Sequence, residues 1–343
     1  MNPRYLILCI SLALAIANGA PLVAQQRIVE LEIQCDPRAV VGTQQQWMEA
    51  LQDVGADRVV VKTSGSDQPK LEETQLSSGI LISVTGTIDG RRLLLPGGSF
   101  AITNKTGIRD WISRLRDDGA QVALAEKKAF GLTSEQLVGL HETLATPVSF
   151  PTMGIAPQAA IEKIAASLPL SVSLDAGAQA ALRTAEPLGE EFQGMASGTS
   201  LAAIIRPSGL VLEPRRHQGK AVELWIVETA ASREYWPVGW PLEKPPVQVE
   251  PKLFETIELE IRGFPLKDAL HAIEKRTGVP FFYDQNSMAR AGIELSTTKV
   301  TVVQKKISFM VAIGKLLRQS KPRLIEELRM DEKGTPFLWI STP

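Results

Sequence analysis

One succession of apolar patterns occurs twice in the C-terminal part of this chain, and few architectures satisfy it. Residues 147–227 and 256–340 each run through a Pro-flanked strand, an Ala/Ile/Leu helix, a buried segment around a proline, a second helix and a closing strand containing Leu-Trp-Ile. In the first copy Ala160, Ile161, Ile164, Ala165 and Leu168 share one helical face, and Leu170, Val172 and Leu174 then alternate as a strand. In the second copy Leu266, Ala269, Leu270 and Ile273 stand at i, i+3, i+4 and i+7, Gly278 ends the helix, and Val279–Tyr283 is the strand. The pattern places Ile161 and Leu270 at matching core sites. It places Ser200 and Ser308 at the start of each second helix, and Trp225 and Trp339 on matching strands. Two helices against small sheets, repeated in tandem, give an α+β fold class.

The rest of the chain divides around these repeats. Arg4 followed by the apolar run Tyr5–Ala17 reads as a secretory signal over residues 1–24, the run being too short to span a bilayer. An N-terminal α+β domain is expected over 26–145. It contains a strand through Ile28–Ile33, a β-branched strand at Arg58–Thr63, a hairpin turning at Asp89-Gly90 and a helix carrying Ile108, Trp111, Ile112 and Leu115. Thr133 and Gln136 form a capping-box pattern ahead of Leu137, Leu140 and Leu144. The first repeat then covers 147–230 and the second 253–343. Between them, 231–252 is a Pro-rich linker, stiff because proline excludes helix interiors and central strands. It carries Tyr235, Trp236 and Trp240. Aromatic residues in a linker either pack the repeats together or form a platform for a peptide or glycan.

Charge and chemistry exclude more than they identify. With 37 basic and 38 acidic side chains the formal net charge is −1, so there is no global field for nucleic acid. No later segment reaches the length of a membrane helix, and none is expected once the signal is removed. Cys9 falls in the signal, which leaves Cys35 as a small apolar residue at the end of a strand. The segment Gly198-Thr199-Ser200 looks like the nucleophile segment of subtilisin-type proteases, but the Asp and His motifs of that family are missing. His141, His217 and His271 have no ligand partner at metal-binding spacing. The reading is of a protein with no catalytic residues, no cofactor and no metal.

Each repeat resembles the short N-terminal domain shared by bacterial secretins and TonB-dependent receptors. The resemblance is carried by Pro265, Leu266, Ala269, Leu270 and Ile273, by Gly278-Val279-Pro280-Phe281-Phe282-Tyr283-Asp284, by Leu316-Leu317 and by the final hairpin. In the first repeat Gly209-Leu210 after the second helix is the better match. The family domain is a periplasmic protein-interaction module, and no barrel or pore sequence follows it here. The resemblance implies a non-enzymatic interaction or scaffold protein of the cell envelope. Its partner would be an envelope or secretion-system protein, or another copy of itself. The alternative is a periplasmic glycan- or peptide-binding protein using Tyr235, Trp236 and Trp240.

Overall fold

The computed structural model describes residues 26–35, 43–63, 68–89 and 91–343. The signal expected at 1–24 lies outside the described residues, as does Gly90 of the Asp89-Gly90 turn. The fold is α+β, in two compact units, Met1–Leu124 and Ala125–Pro343.

In the first unit β1 (Arg27–Cys35) lies between β2 (Arg58–Thr63) and β4 (Gly79–Asp89), parallel to both. The crossover from β1 to β2 carries α1 (Thr43–Leu51). β3 (Lys70–Leu76), β5 (Arg92–Leu95) and β6 (Gly98–Ala101) complete the sheet by antiparallel pairing. Val29, Leu31 and Ile33 are buried because β1 is a central strand, and Cys35 ends it inside the same core. α2 (Lys105–Asp118) buries the expected stripe of Ile108, Trp111, Ile112 and Leu115. A short α3 (Ala120–Leu124) closes the unit. Sequence periodicity missed β3, whose Lys70-Leu71-Glu72-Glu73-Thr74 has almost no apolar face to bury.

The second unit starts earlier than the boundary expected at residue 145. α4 (Ser134–Leu144) is opened by the Thr133/Gln136 capping box, with both reciprocal bonds present. Its Leu140 and Leu144 join Ile161 and Leu201 in one core cluster.

The first repeat consists of α5 (Pro157–Ala166), β7 (Val172–Leu174), α6 (Ala176–Arg183), α7 (Ser197–Ile205), β8 (Leu210–Arg216) and β9 (Val222–Glu228). After the short α8 (Pro246–Val249), the second repeat consists of β10 (Thr256–Pro265), α9 (Leu266–Thr277), β11 (Phe281–Tyr283), α10 (Gln285–Arg290), β12 (Lys299–Ser308), α11 (Phe309–Leu317), β13 (Ile325–Met330) and β14 (Pro336–Ser341). The sheet orders are β7-β9-β8 and β11-β14-β13, each with one parallel and one antiparallel pairing.

The likeness of the two segments extends to register. Ile161 and Leu270 are each the fifth residue of their helix and both are buried. Ser173 faces Trp225 across the parallel pair, and Phe282 faces Trp339 in the same way. Asp175 and Asp284 each cap the short helix that follows. On the antiparallel side Glu213 and Arg215 form an ion pair at 2.8 Å, with the guanidinium over Trp225 at 5.0 Å. Glu327 and Arg329 repeat this at 2.9 Å, with the guanidinium over Trp339 at 5.7 Å.

The copies differ at their opening strands. In the second, β10 and β12 form a two-stranded ribbon leading into α9 and α11. In the first, among the described residues, only the Pro147/Ala196 bridge stands there, held by Val148 N–H to Met195 O at 2.9 Å and Gly194 N–H to Val148 O at 2.8 Å.

Ser308 caps α11 as expected, but Ser200 does not cap α7. Ala196 is the N-cap, and Ser200 lies inside the helix with its hydroxyl donating to Ala196 O at 2.8 Å. That back-bond to the carbonyl four residues earlier is the usual fate of a serine within a helix. The helix starts early because carboxylates from the second repeat satisfy its first amides. Asp331 Oδ2 accepts from Ala196 N at 2.8 Å, and Glu332 Oε2 accepts from Thr199 N at 3.1 Å and Thr199 Oγ1 at 2.9 Å.

Candidate functional site

Two regions present themselves, the seam between the repeats and the β10–β12 ribbon. At the seam, Tyr235–Trp240 runs between two sheet edges rather than free through solvent. Trp236 N–H donates to Leu212 O on β8 at 2.7 Å. Trp240 and Met330 on β13 exchange backbone bonds of 2.7 and 3.0 Å, and Arg329 Nη1 donates to Val238 O at 2.9 Å.

Trp236 is 2 % exposed. Its indole N–H donates to Glu332 Oε1 at 2.6 Å, and Trp240 meets its ring edge-on at 5.1 Å. His141 packs 5.5 Å from Trp240. Burial raises the Glu332 carboxyl above its ordinary value against the bonds from Trp236 and Thr199. Only Tyr235 of the three aromatic site candidates is exposed. Tyr235 and Trp236 line a cleft of about 370 Å³ with Arg206, Asp284, Arg329 and Trp339, while Trp240 is not among its walls. Arg206 is committed within this cleft, paired to Asp284 at 3.4 Å and lying 5.9 Å from the Tyr235 ring. Trp236 and Trp240 thus pack between the repeats, while Tyr235 stands exposed beside Arg206.

A further seam contact went unread in the sequence. Glu190 accepts from Gln285 Nε2 at 3.1 Å, across the two repeats. Its pKa is raised to about 7, first by loss of solvent and also by Glu274, against hydrogen bonds from Gln285 and the Tyr283 N–H. Ser200 is fully buried and its hydroxyl is spent on Ala196 O, so among the described residues it has neither a base nor access to a substrate. Among the described residues no group of three His, Cys, Asp or Glu side chains could hold a metal ion, and no helix is long and apolar enough to cross a membrane.

The ribbon is different in kind. Ile257, Leu259 and Ile261 turn toward the helices, and Glu258, Glu260 and Arg262 face solvent. Beside β10 a groove of about 400 Å³ runs between the strand and α9, its apolar wall made by Ile257, Leu259, Ile261 and Phe264 and its charged lining by Glu260, Asp268 and Arg276. Phe264 at its end is 56 % exposed and Val303 on β12 45 %. Among the described residues no strand pairs with the outer edge of β10. The Ile257–Ile261 alternation was legible as a strand. Its openness was not, because an edge strand and a central strand with one polar face share that pattern.

No family model matches the chain, and no curated protein or solved structure does.

Proposed function

We propose that this is a non-catalytic docking protein of the cell envelope, whose second repeat takes up an extended segment of a partner protein alongside β10. The observation that carries the reading is a ten-residue strand edge left open beside a groove with an apolar wall. Such an edge offers backbone hydrogen bonds for affinity, and the groove offers places for alternate side chains of the added strand. Among the described residues the first repeat has no such edge, so duplication has left one copy as support and the other as the docking element. The cell-envelope assignment rests on the N-terminal Arg4 and apolar run.

The test is capture from envelope extract on immobilised protein. Phe264→Glu places a charge at the end of the groove and should lower capture of the partner about tenfold, the effect of some 1.4 kcal/mol. Met153→Glu, at an exposed site on the first repeat, should leave capture unchanged. Equal capture by both variants contradicts the reading.

A further inference from the structure

We infer that the segment received by β10 is β10 of a second copy of this chain, paired antiparallel about a two-fold axis at Ile261. The inference rests on the docking reading above and names its partner.

The strand is complementary to itself. Along its solvent face Glu260 and Arg262 stand side by side, their charged groups 2.8 Å apart. Antiparallel pairing centred on Ile261 sets Glu260 opposite Arg262 of the other copy, twice by symmetry, and Ile261 opposite its own equivalent. Opposite charges directly across a strand pair stabilise it, and like charges oppose it. On the helix-facing side the two grooves then adjoin beneath one four-stranded sheet, with Ile261 of each copy meeting its equivalent and Leu259 of each lying diagonal to Ile261 of the other. A closed two-fold assembly needs this kind of self-complementary surface.

The other long edge strands of the unit each carry a bond to a neighbouring group at one residue of the edge. On β12 the Gln319 side chain bonds both the N–H and the carbonyl of Thr301, at 2.9 and 3.2 Å. The linker backbone bonds β8 at Leu212 and β13 at Met330. β10 has no strand on its outer edge among the described residues, and its register shifts at Ile257/Leu259 and Arg262/Phe264 leave Leu259–Arg262 as the regular stretch a second strand can pair with. Pairing with an identical strand consumes both open edges at once.

The experiment is sedimentation of the full chain across about 1 to 200 µM, a range suited to a small interface of micromolar affinity. The wild type should pass from monomer to dimer. Glu260→Arg, which sets two guanidinium groups opposite each other at each crossed pair, should raise the dissociation constant at least about tenfold. The double variant Glu260→Arg/Arg262→Glu restores the crossed pairs and should recover dimerisation. A monomer at every concentration overturns the inference, and so does a dimer indifferent to both variants. If the protein is monomeric yet Phe264→Glu still abolishes capture of another protein, the inference fails and the docking reading stands. If neither dimer nor Phe264-dependent capture is found, both fail.

Discussion

Glu190 shows how a single side chain can register the contact between the repeats. Its carboxyl lies against Gln285 of the second repeat, and loss of solvent moves its pKa to about 7 from an ordinary 4.5. The folded protein therefore holds this proton more tightly than the unfolded chain. Its contribution to stability is complete below about pH 4.5 and is lost as pH rises through about 7. Glu190→Gln keeps the neutral shape at every pH. The melting temperature of this variant relative to wild type should rise between pH 5 and 8, measured by calorimetry on both proteins. Parallel curves would show that Glu190 is solvated like any surface carboxylate. In sequence Glu190 is only half of the adjacent pair Glu190-Glu191, and its contact could not be read there because the partner Gln285 is distant along the chain. Ser200 failed as a cap for the same reason, since the groups that start α7 come from Asp331 and Glu332.

At the scale of elements, what was legible was what depends on neighbours in sequence. The stripes of α2, α5 and α9, the capping box at Thr133, the Gly278 terminus and the closing hairpin follow from periodicity and local hydrogen bonds. β3 was not legible because its polar side chains leave no alternation to read. The capping of α7 by a remote turn was equally hidden, although Gly198 is its trace. A Cβ at Gly198 would collide with Glu332 Oε1 and stand 2.9 Å from Trp236 Nε1, so only glycine lets the carboxylate approach the helix end. Gly198→Ala should destabilise the unit by about 1–3 kcal/mol through displacement of Glu332 and Trp236. Gly139→Ala is the control, because nothing lies within 4 Å of a Cβ there and the site is inside α4. It should gain about 0.5–1 kcal/mol from helix propensity. Chemical denaturation of both variants reads the difference, and equal effects would contradict a stabilising role for Glu332 at the start of α7.

Within Ala125–Pro343 the core of the first repeat takes in Phe282, Phe337 and Trp339 of the second, whose remaining apolar residues form a core of their own. Phe192 of the first stacks on Phe282 of the second at 4.6 Å, and Phe282 lies 5.3 Å from Phe337. The Pro-rich segment is part of this joint, with Trp236 at its centre. The linker buries Trp236, half-buries Trp240 and bonds β8 and β13, and among the described residues no strand pairs with the outer edge of β10. The docking claim is therefore a claim about one strand. A photoreactive phenylalanine analogue placed singly at 258, 264, 138 and 153 tests it at residue resolution. All four positions are exposed, the first two on β10 and the last two on α4 and the first repeat. On irradiation in cells the account predicts discrete protein adducts from 258 and 264, of dimer mass if the second copy is the partner, and none above background from 138 and 153. Adducts confined to 138 or 153, or equal at all four positions, would contradict it.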